Sequence, residues 1–216
     1  GMGLFAPNSE TTRAQLVTIL YRLAGQPAPS GDSGFSDVET GTWYTDAVAW
    51  AAQNGIVNGV SDTQFAPGDD ITREQLAVIL YRYATYQGYD VSQRADLSGF
   101  VDAGTISTYA QEALSWANAT GLIIGTTATT LSPKGSATRA QVATILSRFC
   151  QDVIPGGYVS PAHMIRNLED STLSKKDTLV AMAEVLLDDG FAPAFVAGIL
   201  GNIMVEGDCG RFESSA

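Results

Sequence analysis

Three Thr-Arg pairs recur in this chain, Thr12-Arg13, Thr72-Arg73 and Thr138-Arg139, each with a glutamine further on, at Gln15, Gln75 and Gln141. A threonine followed three positions later by glutamine is the arrangement that caps a helix start with reciprocal hydrogen bonds. A helix amino terminus carries partial positive charge, and an arginine just inside it adds a planar fork of donors. Each pair therefore gathers positive potential of a kind suited to an anion. Aromatic and acidic side chains accompany the pairs. Trp43 and Tyr44 precede an apolar stripe and are candidates for stacking on a flat ligand, whereas Trp50 and Trp116 lie on the stripe and belong to the core. Asp37 and Asp102 each follow a Phe shortly before a helix and suit either a turn or a ligand contact. Arg22, Arg82 and Arg148, near the far ends of the same helices, are read mainly as partners for acids.

Internal repetition organises these residues. Phe5-Ala6-Pro7, Thr12-Arg13-Ala14-Gln15-Leu16 and Ile19-Leu20-Tyr21-Arg22 return 60 positions later as Phe65-Ala66-Pro67, Thr72-Arg73-Glu74-Gln75-Leu76 and Ile79-Leu80-Tyr81-Arg82. A third copy, Leu131-Ser132-Pro133, Thr138-Arg139-Ala140-Gln141-Val142 and Ile145-Leu146-Ser147-Arg148, follows after a further 66. Copies two and three are preceded by a second shared half. It reads Phe35-Ser36-Asp37-Val38, Trp43-Tyr44, Ala47-Val48, Trp50-Ala51 and Gly55-Ile56 in one, and Phe100-Val101-Asp102-Ala103, Tyr109-Ala110, Ala113-Leu114, Trp116-Ala117 and Gly121-Leu122 in the other. Copy one has no such half. The spacing of Trp43, Ala47, Trp50 and Ala51 predicts a helix stopped near Gly55, and Leu76, Ile79, Leu80 and Tyr83 predict the buried face of a second helix. Pro67-Gly68 marks the loop between the two helices.

Composition narrows the function. With 23 acidic and 12 basic residues, the net charge is −11, which disfavours nucleic acid, whose capture depends on Lys and Arg. The most apolar stretch, from Phe191 to Val205, is shorter than the roughly 20 residues a membrane-spanning helix needs, so no membrane insertion is expected. No basic region followed by an apolar run opens the chain, and Gly1 before Met2 reads as a tag remnant. Cys150 and Cys209 lie 59 positions apart and are read as unpaired thiols. No metal site and no cofactor are expected.

The combined pattern is an F-x-D-V start, a W-Y and A-W-A helix, a G-I-x-N-G turn, then F-x-P and I-T-R-E-Q. It resembles the surface-layer homology (SLH) domain, over about residues 3–151. The resemblance implies an all-α fold in which helix-loop-helix repeats surround a pseudo-threefold axis, the first repeat being incomplete. It also implies an extracellular location at the cell wall or S-layer of a bacterium. The function implied is non-covalent anchoring, through grooves between repeats that bind secondary cell-wall polysaccharide, often bearing a ketal-linked pyruvate. A carboxylate ligand suits Arg13, Arg73 and Arg139, with Trp43, Tyr44 and Asp37 as further polysaccharide-binding candidates. One departure is the Gln of T-R-A-Q and T-R-E-Q, where the family commonly has Glu. With copy one incomplete, one or two competent grooves are expected, the junction of copies two and three being the first choice.

The implied organisation is a half repeat at 3–30, full repeats at 31–90 and 91–151, a linker at 152–160 around Pro155-Gly156-Gly157, and a small helical segment at 161–216. Helices are expected over 175–187 and 193–205 within that last segment. The run from Phe191 to Gly207 resembles the opening helices of phage-tail-type lysozymes, with Glu206 at the position of their catalytic acid but Gly207-Asp208 in place of Ser-Gly. An acid at the end of an apolar helix would have the raised pKa that glycoside cleavage requires. No suitable second carboxylate follows, Glu213 being too near the end, so this segment is expected to be inactive on its own. The resulting alternative is a peptidoglycan hydrolase targeted by its repeats, with peptidoglycan as a second possible partner.

Overall fold

The computed structural model describes residues 6–154, which lie in the first of two compact units divided at Pro155 and Gly156. The described residues form five α-helices: α1 (Arg13–Leu23), α2 (Thr45–Gln53), α3 (Arg73–Tyr86), α4 (Gln111–Ala119) and α5 (Arg139–Arg148). Two 3₁₀ turns, Ala103–Thr105 and Thr108–Ala110, lead into α4, and a π turn, Phe149–Val153, extends α5. No strand occurs among the described residues, only isolated bridges, so the fold is all-α as the repeats predict.

α1, α3 and α5 are the second helices of the three copies, and each begins as its sequence dictates. Thr12, Thr72 and Thr138 accept the amide of the third helical residue at 3.3, 3.3 and 3.4 Å. In return, the side chains of Gln15, Gln75 and Gln141 accept the threonine amides at 3.1, 3.1 and 3.2 Å. A glutamine carbonyl thus performs the capping of which glutamate is also capable, and the departure from the family pattern leaves the cap intact.

The pseudo-threefold axis is a closed ring of main-chain hydrogen bonds. The amide of Thr11 donates to Ala137 O (3.0 Å), Ala137 to Ile71 O (2.9 Å), and Ile71 back to Thr11 O (2.8 Å). Each copy also plugs the start of a neighbouring helix. Arg13 N donates to Asp69 O (2.9 Å), Arg73 N to Gly135 O (2.9 Å) and Arg139 N to Ser9 O (2.8 Å). The next amides follow suit, Ala14 N to Pro67 O, Glu74 N to Pro133 O and Ala140 N to Pro7 O, at 3.0–3.1 Å. Helix starts carry amides with no partner inside the helix, and here the loop of another copy supplies the missing acceptors.

The first-half helices fill the spaces between. α2 packs on α1 and α4 on α3. Trp50 is buried against Tyr21 (ring centroids 5.6 Å), Tyr83 (6.4 Å) and Tyr86 (5.8 Å), and Trp116 against Tyr81 (5.5 Å), as expected of the apolar stripe. The described residues hold two first-half helices for three second-half helices. Ile19 and Leu23 of α1 are consequently both 41 % exposed, while Ile79, Tyr83, Ile145 and Phe149 at the same repeat positions are buried.

Candidate binding grooves

Two grooves occupy equivalent places, each between the loop that follows a first-half helix and the second-half helix of the same copy. The groove beside α3, of about 400 Å³, is lined by Arg13, Asn58-Gly59-Val60, Gln75, Arg82 and Tyr109, with Val78 and Ile79 as its apolar wall. The groove beside α5, of about 340 Å³, is lined by the equivalent Arg73, Ile124-Gly125-Thr126, Gln141 and Arg148. Neither lining contains a carboxylate. In a chain of net charge −11, each groove is thus a local concentration of guanidinium groups.

Arg13 and Arg73 stand at these grooves as parts of the wall. Arg13 is 4 % exposed, and its Nε donates to Phe65 O at 2.8 Å while Nη2 donates to Asn58 O at 3.2 Å. Its guanidinium also lies 4.7 Å from the centre of the Phe65 ring. Arg73 is 5 % exposed and repeats the pattern with Leu131 O (2.9 Å) and Ile124 O (2.7 Å). Burial lowers the pKa of both, and nearby carboxylates, Asp69 and Asp37 for Arg13 and Asp102 for Arg73, work in the opposite direction. An arginine remains charged at any physiological pH. The expectation that the helix start and its arginine form one open anion site is corrected here. Carbonyls of another copy occupy the first amides, and two donors of each fork hold the groove loop in shape. Arg139 is half-buried and lines neither groove.

Asp37 is likewise committed to the scaffold. Its two oxygens accept the amides of Phe65 (2.8 Å) and Ala66 (2.7 Å), and Asp102 does the same for Leu131 (2.9 Å) and Ser132 (2.7 Å). Of the two roles open to Asp37, the structure supports loop formation, with no place in either groove lining. Burial raises its pKa, but the amides of Phe65 and Ala66 and the charge of Arg13 outweigh that and hold the carboxyl below its usual range. The latched loops are tight. Ala66 and Ser132 take φ of +57° and +55°. A Cβ on Gly59 would lie 2.1 Å from Ser61 O, and one on Gly125 2.2 Å from Thr127 O.

Trp43 is 61 % exposed and meets Tyr44 edge-on at 5.1 Å, and neither residue lines a groove. The aromatic at a groove is Tyr109, the repeat equivalent of Trp43, which stands 57 % exposed beside α3. Arg82 and Arg148, whose sequence positions suggest partners for acids, each line a groove. Arg148 Nη1 donates to Gly121 O at 3.2 Å, whereas Arg82 makes no hydrogen bond or ion pair among the described residues. The signal that could have found Arg82 and Tyr109 is their recurrence at fixed repeat positions. Glu206 and the helices expected over 175–187 and 193–205 lie outside the described residues.

Residues 34–77 and 99–143, which span both first-half helices and the helix starts that follow them, each match the S-layer homology domain. These two stretches of the chain are S-layer homology repeats. The repeats are 37 % identical over 154 residues to a surface-layer 125 kDa protein of Lysinibacillus sphaericus, a match covering 70 % of this chain and 13 % of that protein. An endoglucanase of a Bacillus species is 32 % identical over 76 % of this chain and 17 % of its own length. A cellulosome-anchoring protein of Acetivibrio thermocellus is 28 % identical over 68 % of this chain and 33 % of its own length. The chain thus spans a third or less of these relatives. No helix among the described residues of the S-layer homology unit is long and apolar enough to cross a membrane.

Proposed function

We propose that the S-layer homology repeats hold this protein on the outside of a bacterial cell wall by binding an acidic secondary cell-wall polysaccharide, with the groove beside α3 as the principal site. The observation that carries this reading is the conjunction of Arg82, the exposed ring of Tyr109 and the remaining edge of Arg13 in a groove with no carboxylate in its lining. A guanidinium with no hydrogen bond or ion pair among the described residues takes a sugar-borne carboxylate, such as a pyruvate ketal, in a two-pronged contact that neutral sugars do not supply. A flat phenol ring offers stacking to a sugar face. Screening within about 8 Å at physiological salt keeps the distant acidic surface from opposing this contact. Relatives as different as a surface-layer protein and an endoglucanase share the repeats, which fits a module that locates whatever it is joined to.

The test is cosedimentation with purified walls before and after acid extraction of the secondary polysaccharide, using the parent chain and Arg82→Ala. Binding that falls on extraction and on Arg82→Ala is the expected result. Binding that survives extraction moves the target to peptidoglycan. Hydrolysis by a protein that completes the lysozyme-like segment around Glu206 is a separate proposal resting on its sequence motif, and dye release from labelled peptidoglycan by such a protein tests it.

A further inference from the structure

Copy two alone has an acid at the second helical position, Glu74, where copies one and three have Ala14 and Ala140. Copy three alone has a lysine at the matching place in its loop, Lys134, where copies one and two have Asn8 and Gly68. The two departures meet. Glu74 is 2 % exposed, and Lys134 Nζ donates to its Oε1 at 2.6 Å. Three more donors converge on the same carboxylate: Ser107 N to Oε2 (3.0 Å), Ser107 Oγ to Oε1 (2.9 Å) and the Tyr109 hydroxyl to Oε1 (3.1 Å). A buried carboxylate is tolerated only with such a set of donors, and once satisfied it fixes its partners in place.

We propose that Glu74, through this cluster, is a positioning residue that holds the Tyr109 ring at the groove beside α3 and makes that groove a stronger site than its counterpart beside α5. The proposal rests on the polysaccharide reading above. The repeat supplies the internal contrast. At the position of Tyr109, copy two has Trp43, and the helical residue matching Glu74 is then Ala14, with no acceptor to offer. By the same repeat relation Trp43 belongs beside α1, so it lines neither of these two grooves. The groove beside α5 has no aromatic in its lining. An exposed tyrosine tethered at its hydroxyl loses less freedom when a sugar stacks on it than an untethered one, so tethering raises affinity without a new ligand contact.

Calorimetric titration of the whole chain with polysaccharide acid-extracted from purified walls tests this, comparing the parent with Glu74→Ala, Tyr109→Phe, their combination, and Tyr109→Ala. Glu74→Ala restores the residue that copies one and three have, and Tyr109→Phe removes one hydroxyl from an exposed ring. Each is expected to weaken binding by about threefold to tenfold, the range for the net contribution of one ordinary hydrogen bond. Their combination is expected to weaken it no further than either alone, and Tyr109→Ala to weaken it more than Tyr109→Phe. A purely structural role predicts no such non-additivity between the two sites. Parent-like affinity in Tyr109→Phe, or additive losses in the combination, overturns the positioning role. If Glu74→Ala fails to fold, Tyr109→Phe decides alone. Losses in Tyr109→Ala and Arg82→Ala with parent-like Tyr109→Phe overturn the tether only, whereas parent-like affinity in all of these variants overturns the groove assignment as well.

Discussion

Arg13 Nε donates to the carbonyl of Phe65, 52 residues further along the chain, at 2.8 Å, and the same guanidinium lies over the Phe65 ring at 4.7 Å. A side chain at the start of one repeat thereby fixes the loop of the next. Arg73 and Leu131 repeat the relationship one copy on, at 2.9 Å.

Removing that fork is a folding experiment before it is a binding one. Arg13→Ala strands the buried carbonyl of Phe65, releases that of Asn58 at the groove wall, and is expected to cost about 3 kcal/mol, from two hydrogen bonds to a charged donor. Urea melts followed by circular dichroism measure this. Arg82→Ala is expected to stay within about 0.5 kcal/mol of the parent in the same melts. A loss of wall binding in Arg82→Ala therefore reports on the groove, and one in Arg13→Ala does not.

Acid should open the loop latches. The carboxyls of Asp37, Asp102 and Glu74 are all held below their ordinary values by donors that favour the charged form. A group whose folded pKa is depressed contributes stability in full above its unfolded pKa, near 4, and loses it as pH falls through the lower folded value. The domain is thus expected to show level stability from neutrality to about pH 5 and a steep decline below about pH 4. Asp37→Asn leaves one of two amides poorly matched, is expected to cost about 1–2 kcal/mol at neutral pH, and should flatten part of the acid decline in a pH series of thermal melts.

The groove floor depends on a missing side chain. In Gly59→Ala the new Cβ would stand 2.1 Å from Ser61 O and 2.4 Å from Gln64 O, so the loop must move. Wall binding should fall several-fold and stability by about 2 kcal/mol, within the range for backbone clashes. Gly125→Ala is expected to disturb the groove beside α5 and leave most of the binding in place, a contrast readable by cosedimentation.

Ala66 sits at φ +57°, where an L-residue is strained by about 1–2 kcal/mol and glycine is not. Ala66→Gly also loosens the unfolded chain, at a cost of about 0.4–1 kcal/mol. The net expectation is a gain of up to about 1 kcal/mol in a urea melt, with the Asp37 latch retained.

Local pattern determined a good deal here. Threonine followed three positions later by glutamine is enough to start α1, α3 and α5, because both partners of each cap lie within one turn of helix. The apolar spacing that buries Trp50 and Trp116 is equally local, the repeats read as helix-loop-helix, and the resemblance to the SLH domain implied their pseudo-threefold arrangement. The roles of individual polar residues were decided only in three dimensions. The sequence shows Arg13 beside a helix start but not the carbonyls of Asp69, Pro67, Phe65 and Asn58 that converge there from another copy. It shows Asp37 before a turn but not which amides, 28 and 29 residues away, it would bind. It gives Trp43 and Tyr109 the same repeat position, but only the fold brings the Tyr109 hydroxyl to Glu74 of another copy. Hydrogen bonds within a turn of helix are set by neighbours in sequence, while those that close a ring of copies depend on which loop the whole fold brings to each helix start.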